Sequence, residues 1–570
     1  MEFWGFLALL SLQLTKEGGR FFSPDSQSYY LNRALADDFP KRLPRASEMV
    51  TPGRVPCTGG QYVFIHEHNV AWLSHLALMH AKDGQTTDTL EHDLITRICR
   101  LLLIANDLIY KSKFEFNRIP TLTKRRAFVA LWLRNWQFNK FQDYYAPFIA
   151  LAREYRIMED WVPKYFPNLE DVFHKATKSL TLERYYQTLS VFTGHIYAEM
   201  TYEDRWLRRS TFCKNIEENK EVIESIAHSW TRTPEQYRKR SEEWRSSRKS
   251  KDVYPTFDFV PLYETPLIEA RPGDLICPVM GFLLDKIING PFYIITDYLN
   301  LNNQRKERAS FHEARGHAYE DYAHSLIKKI AESDIVGLWI CYKNITLPED
   351  SELADSYLQK GKIGINFEHK GGRLPTNYLL GAEEERVFGP RDEVLKRLDK
   401  GEPIEAQEAL RDGADEGLIT KAMWQQSVHA DNLRQWAAKK IGTTPEKIFP
   451  LICHYADIRI DELCRAGYLE PLIEATNLYS HDFLEAPQWL HISDLEDLLG
   501  LAEQGKLNLE LLLNEKAKPE NRKKAFDIFL TEKYKGKRFI PDFLRTTINE
   551  LLKNTGKTFW PSAVDWEKLE

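Results

Sequence analysis

The run ADSYLQKGKIGINFEHKGGRLP, beginning at Ala354, has few ways to fold locally. Lys360-Gly361 supplies a turn, and Ile363, Ile365 and Phe367 alternate with polar positions until Glu368-His369-Lys370. That pattern predicts a strand, a tight turn and a second strand. Because successive side chains point to opposite faces, Glu368 and Lys370 share one face of the second strand and His369 takes the other. Pairing about Lys360-Gly361 lets Asp355 approach Glu368 across the ladder. Two carboxylates and a lysine then converge at one sheet end.

Two acids supply hard oxygen ligands for Mg²⁺ or Mn²⁺, and a neighbouring lysine can orient or help deprotonate a water, which are the parts that phosphodiester hydrolysis needs. The same residues also fit an ordinary solvated ion pair at a strand end. On these residues alone both readings stay open. A lysine at a sheet end packs little, so its removal is expected to change stability by less than about 0.5 kcal/mol.

The chain has 570 residues, enough for roughly two to four domains. With 43% hydrophobic and 28% charged residues it has the composition of a soluble globular protein. A net charge of −6 argues against a generally basic nucleic-acid coat but permits a local basic groove. Seven scattered cysteines without CxxC spacing argue against a disulfide framework or zinc ribbon. The opening MEFWGFLALLSLQL has Glu2 where a signal peptide carries basic residues and is too short to span a bilayer. It reads as a buried helix of a cytoplasmic protein.

The first 250 residues are mostly helical in pattern, as in LEHDLITRICRLLLIANDLIY from Leu90 and RRAFVALWLRNWQFNKFQDYYAPFIALAREY from Arg125. His66, His68, His75 and His80 crowd together, but their spacing fits no compact zinc pattern, and they read as ordinary helix histidines. Basic runs at 231–251 and from Lys516 can touch phosphate, yet read better as solvated helices, the first leading into a linker.

From Tyr254 short extended pieces and a Pro-Gly-Asp turn precede FHEARGHAYEDYAHSLIKKIA, an amphipathic helix from Phe311. Glu313, His317, Glu320 and His324 form one stripe on it, either a metal-binding set or a solvated face. HEARGH lacks the four-residue histidine spacing of zinc proteases. DIVGLWICYKN from Asp334 reads as a buried strand, KIFPLICHYADI from Lys447 as another, and APQWLHISDLEDLLGLAE from Ala486 as a short strand capped by serine or aspartate into a helix. A mixed sheet flanked by helices follows.

A helix with an inward acid, then D-x12-E-x-K across a hairpin, then a helix with glutamine, resembles the PD-(D/E)XK superfamily of restriction-endonuclease-like nucleases. YEDY from Tyr319, Ala354-Asp355 and FEHKGGRLP from Phe367 further resemble prokaryotic nuclease-like proteins with long helical N-terminal regions. Ala354 stands where the family has proline, and His369 where an apolar residue is common.

The resemblance implies an α/β chain: a helical region over 1–250, a connecting α/β segment over 251–310, a nuclease-like mixed sheet flanked by helices over 311–500 and a helical segment over 501–570. It implies Asp355, Glu368 and Glu320 as ligands of Mg²⁺ or Mn²⁺, Lys370 as the catalytic lysine and Gln425 as a further site residue. The implied activity is metal-dependent nucleic-acid cleavage, endonucleolytic and on DNA in preference to RNA. An antiviral defence effector, with the helical region meeting a partner protein and no membrane, is the implied setting. The alternative is a catalytically silent nuclease-like scaffold that binds nucleic acid or protein.

Overall fold

The computed structural model describes residues 67–80, 121–136, 146–177, 180–199, 207–208, 220–247, 259–346, 352–371, 385–402, 404, 418–455, 460, 464–535 and 538–553. Expectations at 1–66 and 90–110 lie outside these residues. No helix among the described residues is long and apolar enough to cross a membrane.

The chain is mixed α/β with two mixed sheets. In the smaller one, β1 (Leu207–Arg208), β2 (Thr231–Arg232), β3 (Leu267–Arg271) and β4 (Asp274–Ile276) lie in the order β1-β4-β3-β2. The expected Pro-Gly-Asp turn joins β3 to β4, and Gly273, at φ +85, adopts a left-handed conformation that a side chain would strain.

The larger sheet has the order β5-β6-β7-β8-β9, made of β5 (Ile340–Thr346), β6 (Glu352–Lys360), β7 (Ile363–Lys370), β8 (Lys447–His454) and β9 (Gln488–His491). β5, β6 and β7 form an antiparallel meander, and β8 and β9 add in parallel. The hairpin turns where the sequence expects it, with Gly361 at φ +55. Gly364 must be glycine, because a Cβ there would fall 2.4 Å from the Tyr357 hydroxyl.

Helices cover both faces. Leu358, Ile365, Phe367, Phe449 and Leu451 share one core with α3 (Arg305–Ser333) and α6 (Ile492–Glu503), through Ala318, Tyr322, Leu495 and Leu499. On the other face, Ile452 and Trp489 pack with Ala422 and Met423 of α4 (Leu418–Val428). Tyr357 packs with Leu433 and Ala437 of α5 (Ala430–Ile441). Truncating a fully buried ring such as Phe367 to alanine costs about 3–5 kcal/mol, which is why period-two apolar residues hold the register.

The boundaries expected near 250, 310 and 500 are not marked by separate cores. One apolar cluster runs from Ala71 to Leu551, and α6 crosses residue 500. Phe148, Ile149 and Ala152 of α1 (Ala146–Arg156) pack on Leu544 and Ile548 of α7 (Asp542–Lys553). Beside this contact, Arg153 meets Glu496 through two 2.6 Å hydrogen bonds, and Arg315 of α3 bonds Glu154 at 2.7 Å, all four side chains buried. Charges this deep persist only when paired.

Three local expectations change. The helix expected from Phe311 starts at Arg305, because positive φ at Asn303 breaks α2 (Met280–Leu301) from α3 only there. The segment from Asp334 is not a buried strand: Ile335, Val336 and Leu338 are exposed, and β5, starting at Ile340, is a largely exposed sheet edge. An edge strand lacks a neighbour on one side, so its hydrophobic run stays partly in water. The cap of α6 is His491, whose ring accepts from Ser493 N while Asp494 takes the His491 N–H; the serine is not the cap.

His75 is a core histidine, with Nδ1 2.6 Å from the Tyr237 hydroxyl and Nε2 3.0 Å from Arg245. In the 231–251 run, Arg240 bonds Glu264 at 2.8 Å through Nε and Arg238 bonds the Leu78 carbonyl at 2.8 Å. Those cations are engaged within the chain.

Candidate active site

The hairpin register pairs Ser356 with Phe367. Continued by one residue, it sets Asp355 opposite Glu368, and residues opposite in an antiparallel pair share a face. Asp355 Oδ2 also accepts the backbone N–H of His369, which fixes the carboxylate against β7. Lys370, two residues beyond Glu368, donates its Nζ to Glu368 Oε1 at 2.6 Å and to Gln425 Oε1 of α4 at 3.2 Å. Asp355, Glu368, Lys370 and Gln425 thus lie together on the sheet face that α4 and α5 cover.

Glu368 and Asp355 are buried. Burial, then the charge of Glu368, push the Asp355 carboxyl well above its ordinary value, against the pull of Lys370 and the His369 N–H. Burial opposes the charge on Lys370, but Glu368 and Asp355 outweigh it and raise the ammonium above its ordinary value. Lys370 is therefore a fixed cation, and it does not act as a neutral base at pH 7. Its side chain is only 16% exposed and that of Glu368 5%. The expectation that this lysine can be removed at little cost is corrected, because its loss strands a buried carboxylate.

The backbone of Lys370 is held as well. Its carbonyl accepts from Tyr455 N at 3.0 Å, while the Tyr455 hydroxyl donates to Glu154 of α1. A Cβ on the next residue, Gly371, would come 2.8 Å from the Tyr319 ring, so only glycine lets the chain leave β7 beside that ring.

Glu320 sits on α3, which covers the opposite face of the sheet. Its carboxylate meets His317, whose Nδ1 is 3.4 Å away. Burial raises its pKa, Glu352 adds to that, and His317 and Lys370 pull it down, so Lys370 is within its electrostatic reach. Among the described residues no group of three or more His, Cys, Asp or Glu is arranged to hold a metal ion.

The helix stripe divides. His317 lies between Glu313 and Glu320, whereas His324 turns inward, with Nδ1 2.8 Å from Ser356 Oγ. The same hydroxyl meets His369 Nε2 at 3.0 Å. Burial lowers His324 to about 4 and His369 to about 3, so both are neutral at pH 7.

The structure adds residues that the sequence reading passed over. Glu352, at the start of β6, pushes both Asp355 and Glu320 up. His429, in the break between α4 and α5, feels the charge of Glu368, and its buried Nδ1 has no hydrogen-bond partner. Tyr479 feels the same carboxylate. Glu352 sits three residues before Asp355 and His429 four after Gln425. These are separations that a strand and a helix end bring back to one place, and they were the available signal. No protein-family model, curated protein or solved structure matches this chain.

Proposed function

We propose that the chain is a divalent-metal-dependent nuclease that hydrolyses internal phosphodiester bonds of nucleic acid. The observation that carries this reading is the pairing of Asp355 with Glu368 beside a charged Lys370. Support comes also from the coarser architecture, a mixed sheet with helices on both faces, which is what a restriction-endonuclease-like core requires.

The residues fit a hard cation. Two buried carboxylates share one lysine, and their mutual repulsion lifts Asp355; a divalent ion relieves that repulsion and accepts the oxygen ligands they offer. Asp355 and Glu368 would hold it, and Mg²⁺ commonly uses one or two carboxylates and completes its shell with water and phosphate. Such an ion supplies a water of lowered pKa and stabilises charge on the phosphate.

The chain's own groups supply the rest. Lys370 holds Glu368 in place, directs an N–H toward an attacking oxygen and stabilises negative charge as it develops. Gln425 limits the motion of that ammonium. Burial by α4 and α5 keeps the local dielectric low, which strengthens both effects.

The test is cleavage of plasmid, linear and single-stranded substrates in Mg²⁺, Mn²⁺ and EDTA. Activity should require the cation, and Lys370→Ala should lower the rate by roughly a hundredfold to a thousandfold, the range for one electrostatic contact of this kind. A folded wild-type protein that binds nucleic acid and cuts none of the substrates leaves the silent-scaffold alternative standing. A folded Lys370→Ala protein that cuts at the wild-type rate removes the lysine's role.

A further inference from the structure

We propose that Tyr165, backed by His317, is a stacking platform for an unpaired nucleobase, so that the strand entering this site is single. The proposal rests on the nuclease reading and specifies its substrate. Tyr165 follows the short turn Val162–Lys164 and is 40% exposed.

Its surroundings hold it rigidly. The Tyr165 hydroxyl donates to Asp321 Oδ2 at 2.9 Å, and Lys343 of β5 holds the other oxygen of that carboxylate. Phe166, next along the chain, is buried against Phe311 with ring centroids 5.5 Å apart. The Tyr165 ring lies 5.2 Å from the His317 imidazole at an interplanar angle of 36°. His317 is itself set between Glu313 and Glu320. A ring whose hydroxyl is tethered and whose neighbour is an imidazole presents a fixed aromatic surface at little entropic loss on binding.

The position links it to the candidate catalytic groups. Glu320 is one helical turn from His317, about 4.5 Å along the axis. Its charge acts on Tyr165 on one side, and Lys370 is within its reach on the other. Tyr319, on the same helix as His317, has its ring beside Gly371, the residue after Lys370, so a strand resting on Tyr165 can run on toward Lys370.

The local charge selects what sits there. Asp321 holds the Tyr165 hydroxyl, and Glu313 and Glu320 flank the His317 imidazole beside the ring; these carboxylates repel a phosphate, whereas a base is neutral and has a polarisable face. Base–aromatic stacking of this kind tolerates any base and requires that the base be out of a duplex.

The experiment measures binding of the full chain in EDTA, where cleavage plays no part, to fluorescein-labelled oligothymidylate, oligouridylate and a blunt DNA duplex of equal length. Tyr165→Ala should weaken both single strands by about fivefold to a hundredfold, the range for one stacked base, with duplex affinity within about twofold. Tyr165→Trp, which keeps a stacking surface, should bind single strands as the wild type does. A 2-aminopurine placed in the oligonucleotide should be quenched by the wild type and by Tyr165→Trp, but not by Tyr165→Ala.

Unchanged single-strand binding by Tyr165→Ala overturns the platform, as does equal loss for duplex and single strands. So does failure of the wild type to bind a single strand. The two readings separate: binding through Tyr165 without cleavage in Mg²⁺ or Mn²⁺ sinks the nuclease alone. Duplex cleavage that Tyr165→Ala leaves intact sinks the platform alone.

Discussion

Replacing Lys370 by methionine removes the ammonium while keeping most of the side-chain volume, and the structure sets the size of the effect. Glu368, with 5% of its side chain exposed, loses its 2.6 Å partner and keeps only the more distant field of its neighbours. Breaking a buried pair by deleting one member costs about 3–5 kcal/mol, and the 16% exposure of Lys370 points to the lower end, about 3 kcal/mol. At about 2.1 cal/mol/K per residue, unfolding of all 570 residues as a unit carries roughly 1.2 kcal/mol/K, so the melting temperature should fall by about 2–3 °C. Adding Glu368→Gln removes the stranded charge, and the double variant should regain most of the loss. The assay is a thermodynamic cycle of wild type, both single variants and the double variant by denaturant unfolding in EDTA. A coupling energy below about 0.5 kcal/mol would mean that the pair behaves as a solvated one, and the low-dielectric site inferred from its burial would fall with it.

Two further outcomes follow from the titrating groups. Because the Asp355 carboxyl is raised, the native chain keeps a proton that the unfolded chain has released, and this contribution to stability is lost as pH rises above the ordinary carboxyl value of about 3.9. A cation competes with that proton, so Mn²⁺ should raise the melting temperature more at pH 8 than at pH 5.5. Asp355→Asn should abolish the gain, and a pH-independent gain, or one that survives this substitution, would place the cation elsewhere. His369 is lowered from 6.5 to about 3, so the unfolded chain takes up a proton that the native chain refuses, and stability is lost as pH falls below about 6.5. Its share between pH 7 and pH 5 is about 2 kcal/mol, and His369→Asn should flatten the acid limb of urea unfolding by that amount. An unchanged acid limb would show that His369 becomes charged without unfolding.

The hairpin was legible because it is local. Period-two alternation around Lys360-Gly361 sets the register, and register alone puts Asp355 across from Glu368 with Lys370 on the same side and His369 on the other. The helical patterns of α3 and α4 were legible for the same reason, since apolar spacing along a few turns is carried by the chain itself. Which face of the sheet each helix covers is carried by contacts between residues far apart in sequence. That decision brought Gln425 to Lys370 across 55 positions. It also turned His324 inward while its neighbour His317 stayed with Tyr165, more than 150 residues earlier. The edge position of β5 exposed an apolar run that looks buried in sequence, because hydrophobicity records what a strand can bury and not whether a partner strand exists beside it. The sequence by itself determined the β6–β7 hairpin, its register and the chemistry on one face. Only the tertiary structure decided how deeply that chemistry is buried: burial raises Asp355, while the carboxylates of Glu368 and Asp355 keep Lys370 charged against the pull of burial.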